Sequence, residues 1–569
     1  MTDLAELRTT AHPGAALLHR VGTGISTRPR PARRPLTPTR GSSPARHARL
    51  APLLSGGPTV LVTVVCVLVA AVVHGKGMYT APIRFDDEGT YVAQANAVLT
   101  QGRLAPYTYW YDHPPLGWLL LAGWLAGPGA LWHAPNLVGS GRQLMLVLDL
   151  VCVVLLVVLA RRIGLSRLTA AAAALLYALT PLGVTYHRMV LLDNIATPFM
   201  LGAFVLALSP QRRLSAALAS GLLLSCAVLV KETTLLLVPF VLWALWQQFG
   251  GTTRRMCLAV FGLGVALPAT LYPMFALTNN ELLPGSGHVS LWSGVYFQLF
   301  GRRSSGSVFA PSSDAHAVAQ GWFSIDPHLI LGAVALVLPA LTVRRLRPVA
   351  AALLFSGLAV LRPGYLPVPY VVALIPLAAL VVAGVPGAAA SRLAHRARAA
   401  HTDAPADPSN AAKSLGRRAT AGRVLAVVSL GVTAATVVSG VHSAATDWYY
   451  HDVSLMQTSF DRPYLDSTAW IEANVPRSAT LLVDNVTWTS LLQAGYPQDN
   501  LIWFTKPNVD LEVDQRVPSW RSVDYVVTSD IMRTSQQTGG TVQDAVAHST
   551  PVASWGSGAN EIVIRKVGS

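Results

Sequence analysis

The sequence is poor in charge. Only 12% of its 569 residues are Asp, Glu, Lys or Arg, whereas 52% are hydrophobic and the mean hydropathy is +0.44. A soluble domain carries about one quarter charged residues. The composition excludes an ordinary soluble globular protein and predicts a protein of the lipid bilayer.

Acidic residues are scarcer than basic ones, with 28 Asp and Glu against 43 Lys and Arg. A net charge of +15 can indicate a nucleic-acid partner. Most of the arginines, however, fall in short clusters between long apolar runs rather than on one basic face. We therefore expect no nucleic acid as a partner and interpret the clusters as signals of membrane topology.

Cysteine is also rare, and the motifs of nucleotide binding are missing. Each of the four cysteines lies inside an apolar run, where a small buried side chain is favoured over a disulfide or a zinc ligand. These are Cys66, Cys152, Cys226 and Cys257. The sequence has neither a P-loop nor a Rossmann fingerprint, so we expect no nucleotide site.

Long apolar runs fill much of the chain, and eleven of them are long enough to cross a bilayer. They cover 58–75, 143–160, 168–186, 189–208, 214–230, 233–248, 256–276, 327–343, 348–361, 364–386 and 422–441. A further run at 115–127 is short. If it does not cross, all the arginine clusters fall on the cytoplasmic side, as the distribution of Lys and Arg requires. We therefore predict an interfacial or re-entrant helix there, entered through Pro114 and Pro115.

This topology predicts a multi-pass protein of the plasma membrane with its N-terminus in the cytoplasm. The fold class is all-α in the membrane, with about eleven transmembrane helices and a C-terminal extracytoplasmic α/β domain. The predicted parts are a disordered Arg- and Pro-rich segment 1–55, a transmembrane domain 56–386 with outer loops 76–142 and 277–326, a cytoplasmic linker 387–421, a last transmembrane helix 422–441 and the outer domain 442–569.

The outer domain is predicted from alternating strand-like and helix-like stretches. The strand-like runs are Leu481–Val483, Leu501–Phe504, Val523–Val527 and Ile562–Ile564, and the helix-like stretches include Tyr464–Val475 and Val542–His548. This part of the sequence shows no catalytic motif, and the sequon at Asn485 is a pattern that chance readily provides.

Charged residues outside the arginine clusters gather at the outer ends of the predicted spans. The acidic ones are Asp86, Asp87, Glu88, Asp112 and Asp193, and the basic ones are Lys231, Arg302, Arg303 and Arg362. Solvated loops and snorkelling side chains are the plain alternatives. Asp149 differs, because it lies inside a span, where an ionisable group needs a partner or a cavity.

Two motifs of the first outer loop give these residues a family resemblance. Asp87-Glu88-Gly89-Thr90-Tyr91 and Tyr111-Asp112-His113-Pro114-Pro115-Leu116 resemble the first loop of GT-C glycosyltransferases, above all protein O-mannosyltransferases and aminoarabinose transferases. The turn from Arg188 to Asp193 and the stretch from Tyr365 to Pro376 are weaker matches. The resemblance covers roughly 58–390, and one departure is His113, which stands where the family has a lysine.

The resemblance implies an inverting transferase that moves a hexose or pentose from a polyprenyl-phosphate donor to a hydroxyl of a protein, lipid or cell-envelope glycan. Asp86, Asp87 and Glu88 would be catalytic, with Asp87 as the base, and Asp112, Asp193 and Tyr91 would shape the acceptor site. Donor phosphate would meet His113, Lys231, Arg188, Arg302, Arg303 and Arg362, and Tyr365 and Tyr370 would line the lipid groove. No cofactor is clearly required, although clustered carboxylates could hold a divalent metal.

Two other functions fit a polytopic membrane protein. A transporter or flippase of lipid-linked sugars is expected to show inverted repeats and charges near the midplane, and we find no such repeat. A non-catalytic scaffold that recruits envelope proteins through the outer domain is the second alternative.

Overall fold

The computed structural model describes residues 57–108, 111–285, 289–402, 439–535 and 539–568. Most of this chain is helical. The helices up to residue 402 are α1 Gly57–Gly75, α2 Asp86–Gln101, α3 Leu116–Ala126, α4 Pro128–Leu131, α5 Leu137–Ile163, α6 Arg167–Leu179, α7 Pro181–Tyr186, α8 Leu192–Ala207, α9 Leu214–Val230, α10 Val238–Gln248, α11 Gly251–Ala269, α12 Leu271–Thr278, α13 Leu291–Tyr296, α14 Asp314–Ile325, α15 Pro327–Ala340, α16 Arg347–Val360 and α17 Ile375–Thr402.

Local sequence explains where several of these helices begin and end. The side chains of Asn136, Ser166 and Asp326 each accept a backbone N–H in the first turn of the helix that follows. Helix α5 ends at Gly164, whose φ of 96° is a conformation that glycine adopts without strain. The predicted span 168–186 is divided at Thr180, because Pro181 starts a new helix there.

Four helical segments are long and apolar enough to cross a membrane, and the pair α14 and α15, bent by 101°, makes a fifth if it counts as one span. The four are Gly57–Gly75, Leu137–Ile163, Gly251–Thr278 and Val368–His395. Shorter apolar helices are Leu116–Leu131, Arg167–Leu179, Leu192–Ala207, Leu214–Val230 and Arg347–Val360. A mostly helical membrane protein is thus confirmed, while the count of eleven spans stays a prediction.

The long helices each have one face whose side chains are apolar and exposed. In α1, Leu61, Leu68 and Val72 are each at least 60% exposed, and in α11 Leu267 is 64% exposed. Contiguous exposed apolar surface of this kind is unfavourable in water and favourable against lipid. The opposite faces bury a core shared by α5, α6, α8 and α17.

Helix α17 differs from its predicted boundary, since it continues to Thr402, well past residue 386. Ala388, Ala389 and Ala390 favour helix in this stretch, which was predicted as linker. The predicted segment 1–55, the rest of the linker and most of the predicted span 422–441 lie outside the described residues. The described chain resumes in a helix over 439–457, named α18.

The C-terminal part folds as a five-stranded sheet in the order β2-β1-β3-β5-β4. Its strands are β1 Leu481–Val483, β2 Leu501–Trp503, β3 Tyr525–Thr528, β4 Ser549–Trp555 and β5 Ile562–Val567. Its helices are α19 Arg462–Asn474, α20 Asn485–Gln493, α21 Leu511–Arg516, α22 Asp530–Thr534 and α23 Gly540–Ala547. The remaining helical turns are Glu232–Leu237, Phe297–Gly301, Val368–Ala373, Gln498–Asn500, Trp520–Ser522 and Gly558–Asn560.

The predicted α/β character of this part agrees with the sheet. Strands β1, β2 and β3 are parallel, with Leu481 opposite both Leu501 and Tyr525, and β5 is antiparallel to β3. Strand β4 escaped the sequence analysis because its residues from Thr550 to Trp555 are largely exposed, so they show no apolar run.

The sheet domain packs directly on α2. Glycine at position 89 permits this, because a Cβ there would lie 2.4 Å from the backbone of Asn485 and 2.5 Å from that of Val486. The Asn485 side chain donates to the Thr90 hydroxyl at 2.6 Å, and the Tyr107 hydroxyl donates to the carbonyl of Leu501 at 3.0 Å. The first loop and the C-terminal domain therefore form one packed unit.

Replacing Gly89 by alanine should push α2 and α20 apart. Overpacking of this kind costs about 1–3 kcal/mol, and backbone atoms cannot rotate away as a side chain can. Equilibrium unfolding in mixed micelles should show this loss for Gly89→Ala. The matched variant Gly123→Ala meets no atom within 4 Å and should be near neutral. Equal stability of both variants would contradict the close packing.

Candidate functional site

The first turn of α2 carries three consecutive carboxylates, Asp86, Asp87 and Glu88. Carboxylates are favoured at this position because the N-terminal end of a helix is electropositive. The Glu88 carboxylate accepts the backbone N–H of Phe85 at 3.1 Å and that of Val190 at 3.0 Å. It thereby fixes both the start of α2 and the turn before α8.

A buried ion-pair network holds this turn in place. The Arg142 guanidinium pairs with Glu88 through two hydrogen bonds of 2.7 and 2.8 Å and lies 3.2 Å from Asp461. Asp461 also accepts the backbone N–H of Arg84 at 2.9 Å and its Nε at 3.2 Å. Arg142 further donates to the carbonyls of Met78 and Pro82. All four charged side chains are at most 1% exposed.

Burial opposes ionisation in this network, and the paired charges counter it. Burial would raise the pKa of Glu88, but the charge and hydrogen bonds of Arg142 hold that pKa below its usual value. The pKa of Asp461 stays raised, because its burial outweighs the effect of Arg142 and Arg84. The network makes Glu88 an ionised carboxylate whose oxygens are all engaged.

Asp87 and Asp86 have a different environment. Burial raises the pKa of Asp87, although the positive charges of Lys231, His113 and Arg302 oppose the shift. Burial, together with the negative charges of Asp87 and Asp484, raises the pKa of Asp86 to about 8. In the described part of the chain, Asp86 Oδ1 is buried without a hydrogen-bond partner. Both carboxyl groups therefore hold a proton more readily than an ordinary aspartate, which is typical of groups that exchange protons in a functional site.

His113 joins a chain of alternating charges beside Asp87. Its Nδ1 lies 3.0 and 3.1 Å from the two Glu232 oxygens, and its Nε2 lies 3.2 Å from Lys231 Nζ. The imidazole therefore lies between a carboxylate and an ammonium. Burial would lower the pKa of Lys231, but Asp193, whose Oδ2 lies 3.9 Å away, and Glu232 raise it.

Glu232 itself is a strong partner in this chain. Although burial acts in the opposite direction, the hydrogen bond and charge of His113 and the charge of Lys231 lower its pKa to about 2. The Tyr272 hydroxyl donates to the carbonyl of His113 at 3.1 Å. The imidazole is thus fixed from the backbone and from both ring nitrogens.

Asp112 anchors a second cation to the same space. Its Oδ1 accepts from Arg302 Nη2 at 3.1 Å and from the Gln298 amide at 2.6 Å. The Arg302 guanidinium lies 4.5 Å from the centre of the Tyr365 ring, an arrangement that favours a cation over the ring face. The structure therefore brings Asp87, Asp112, His113, Lys231 and Arg302 together.

The other predicted site residues lie in different surroundings. Tyr91 belongs to the cluster, with its ring centre 6.2 Å from that of His113, whereas Arg303 and Arg362 are exposed. The Arg188 guanidinium donates to four backbone carbonyls, those of Val73, Lys76, Ala81 and Leu455. Those bonds tie together α1, the first loop and α18. The Tyr370 hydroxyl donates to the carbonyl of Ser356.

Sequence reasoning missed the partners that organise the cluster. Glu232 was available as the residue next to Lys231, and two opposite charges at the end of an apolar run are a usable signal. Arg142 sits in the first turns of a long apolar helix, which is another such signal. Asp461 was not recoverable, since it is separated from Arg142 by more than 300 residues and belongs to a different part of the fold.

Among the described residues, a group of three side chains suited to a metal ion is found elsewhere, at His74, Asp149 and His187. The cluster around Asp87 combines carboxylates with cations instead. Such an arrangement suits an anionic ligand that also presents a hydroxyl to a base.

Removing the charge of Asp461 should destabilise the whole unit. Breaking a buried ion pair from one side costs about 3–5 kcal/mol, because the remaining charges stay buried and unpaired. We expect this loss for Asp461→Asn in equilibrium unfolding in mixed micelles, with faster proteolysis of the C-terminal domain. Asp466→Asn is the control, since its exposed pair with Arg462 should contribute less than about 1 kcal/mol. If Asp461→Asn lowered the free energy of unfolding by less than about 1 kcal/mol, the network would be dispensable.

Comparison with known proteins is consistent with this geometry. The model of the family described as dolichyl-phosphate-mannose-protein mannosyltransferase matches residues 107–283, less than half of the chain. No curated protein sequence matches the chain.

Several solved structures have a fold similar to that of this chain. ArnT from Cupriavidus metallidurans in the apo state has a TM-score of 0.52 at 18% identity, covering 90% of this chain and 97% of that one. ArnT bound to undecaprenyl phosphate has a TM-score of 0.52 at 17% identity, covering 90% and 98%. An archaeal oligosaccharyltransferase from Archaeoglobus fulgidus has a TM-score of 0.47 at 12% identity, covering 88% and 73%, too low to bear on function. The resemblance to GT-C glycosyltransferases that the first loop predicts is confirmed by this family match and by the fold shared with ArnT.

Proposed function

We propose that the chain is an integral membrane glycosyltransferase that takes a sugar from a polyprenyl-phosphate donor. The observation that carries the proposal is the position of Asp87, a partly buried carboxyl group acted on by the charges of Lys231, His113 and Arg302. Cations beside a poised carboxylate are what sugar transfer from a phosphate needs. The family match over 107–283 and the ArnT-like fold support this proposal.

The proposed reaction uses both the carboxylate and the cations of the cluster. The oxygen of an acceptor hydroxyl attacks C1 of the sugar while the bond from C1 to the phosphate oxygen breaks. Asp87 takes the acceptor proton, and the electron pair leaves with polyprenyl phosphate, whose charge Lys231 and Arg302 stabilise. Attack from the side opposite the phosphate inverts the configuration at C1.

The remaining residues have supporting roles in the proposal. Glu88, held by Arg142, positions α2 and so Asp87 rather than touching substrate. Asp86 and Tyr91 border the acceptor, and Asp112 and Asp193 hold Arg302 and Lys231 in place. Tyr365 and Tyr370 are proposed to line the path of the lipid. Arg303 and Arg362, which are exposed, would attract the anionic head group from outside the cluster.

The outer face of the plasma membrane is the proposed location of the site. Helix α5 has 27 residues, with Arg142 in its second turn beside the site and Arg161 and Arg162 in its last turn. A helix of this length spans about 40 Å, which supports a site and arginines on opposite sides of a bilayer. Cytoplasmic loops carry the excess of Lys and Arg, which favours an outward-facing site and C-terminal domain.

The variant Asp87→Asn tests the proposed base. We expect transfer from radiolabelled polyprenyl-phosphate hexoses and pentoses in membranes to fall by at least about 10²-fold, because general base catalysis contributes about 10²–10⁴-fold. The control Asp314→Asn changes an exposed carboxylate of the outer loop and should retain activity. Unchanged transfer by Asp87→Asn, in a protein as stable as the wild type, would rule out this base.

Transfer should also depend on pH above the ordinary carboxyl range. The base must be deprotonated, and a raised pKa means that protonation begins at a higher pH than the usual value of about 3.9. We therefore expect kcat/KM for the donor to fall as the pH is lowered, with this fall lying above the usual carboxyl range, as the free enzyme gains a proton. A fall centred at the usual carboxyl value of about 3.9 would contradict the raised pKa.

A further inference from the structure

A second group of buried titratable side chains lies apart from the proposed catalytic cluster. His74 from the last turn of α1, Asp149 from α5 and His187 at the end of α7 present donor atoms that all lie within 4.8 Å of one another. None of the three side chains is more than 3% exposed. Within the part of the chain that the structure describes, they are the one such group of three His, Cys, Asp or Glu residues.

The contacts inside this group are close. His187 Nδ1 lies 3.1 Å from Asp149 Oδ1, and His74 Nε2 lies 3.7 Å from Asp149 Oδ2. The Asp149 carboxylate has the side chains of His187 and Tyr177 as hydrogen-bond partners. In the described structure, His74 Nδ1 and His187 Nε2 are buried without a hydrogen-bond partner. A buried polar atom without a partner costs about 1–3 kcal/mol, so the two ring nitrogens favour a bound ligand.

The spacing of the donor atoms suits a bound metal ion, because they all lie within 4.8 Å of one another. Ligand atoms around a tetrahedral zinc ion are about 3.3 Å apart, given bonds of about 2.0–2.1 Å.

From this geometry we propose that His74, Asp149 and His187 bind a divalent transition-metal ion, with zinc as the best match. Two imidazoles and one carboxylate are a common zinc ligand set. The carbonyl oxygen of Ala178 lies 2.8 Å from His74 Nε2. With the ion bound, His74 Nε2 would coordinate it instead of donating to that carbonyl.

The ion would hold three helices together. It connects the last turn of α1, the middle of α5 and the end of α7 through their side chains. Arg188, the residue after His187, already donates to the carbonyls of Val73 and Lys76 at the end of α1. The metal site and Arg188 therefore hold the same two elements together. A buried Asp149 also gains a neutralising charge, which an ionised group in a membrane segment requires.

Metal content tests the proposal directly. Full-length protein, purified in detergent with an affinity tag that contains no histidine, is analysed for metals by mass spectrometry after dialysis against zinc sulfate and then against buffer. We expect about one zinc ion per chain. In His74→Gln, Asp149→Asn and His187→Gln the zinc affinity should fall at least tenfold. The matched variant His133→Gln changes an exposed histidine and should bind zinc as the wild type does.

A measurement on the unaltered protein covers the case in which these variants fail to fold. Chelation of the wild type with EDTA should lower the Tm by several degrees, and zinc sulfate, but not magnesium sulfate, should restore it, because the ion binds only the folded state. Zinc retained by all three variants would place the ion elsewhere. Zinc-free wild-type protein whose Tm does not respond to zinc would overturn the proposal. Neither result depends on glycosyl transfer.

Discussion

The ion pair between Arg142 and Glu88 is the contact on which the arrangement of the site depends. Arg142 belongs to a long apolar helix, Glu88 to the first turn of α2, and Asp461 of the C-terminal part completes the network. Each charge is buried, so none could stay ionised without the others. The cost of burying these charges is offset only when three distant segments meet in one geometry. The network thus couples the membrane helices, the first loop and the C-terminal domain.

The position of the reactive groups follows from that coupling. Because Glu88 is locked, Asp87 is turned into the space that holds His113 and Lys231, and its own carboxyl group is left with a raised pKa. The two neighbouring carboxylates therefore have opposite protonation tendencies, which separates a positioning role from a chemical one. Lys231 and Arg302 keep their charge through Asp193, Glu232 and Asp112. A site of this kind is preorganised for an anionic donor before any ligand binds.

Much of this structure could be predicted from sequence, and the exceptions have physical reasons. Apolar runs located the membrane helices, since span length and hydropathy are local properties, and the strand-like runs near Leu481 and Val526 gave the parallel part of the sheet. The first-loop motif predicted Asp87 and His113 as site residues, and the structure places both in the same cluster. The pairing of Arg188 with carbonyls could not be predicted, because backbone acceptors carry no signal in a sequence. The partnership of Arg142 with Asp461 joins residues that only the folded chain brings together.

The central claim is that this cluster breaks the bond between a sugar and polyprenyl phosphate. The most direct measurement is the release of polyprenyl phosphate from a radiolabelled lipid-linked sugar by the purified protein in detergent, with a mixture of envelope lipids, glycans and peptides as acceptors. The account predicts release with the wild type and loss of release with Asp87→Asn. Donor that stays intact with every sugar tested, or that only crosses the bilayer in proteoliposomes, would contradict the claim and favour a transporter.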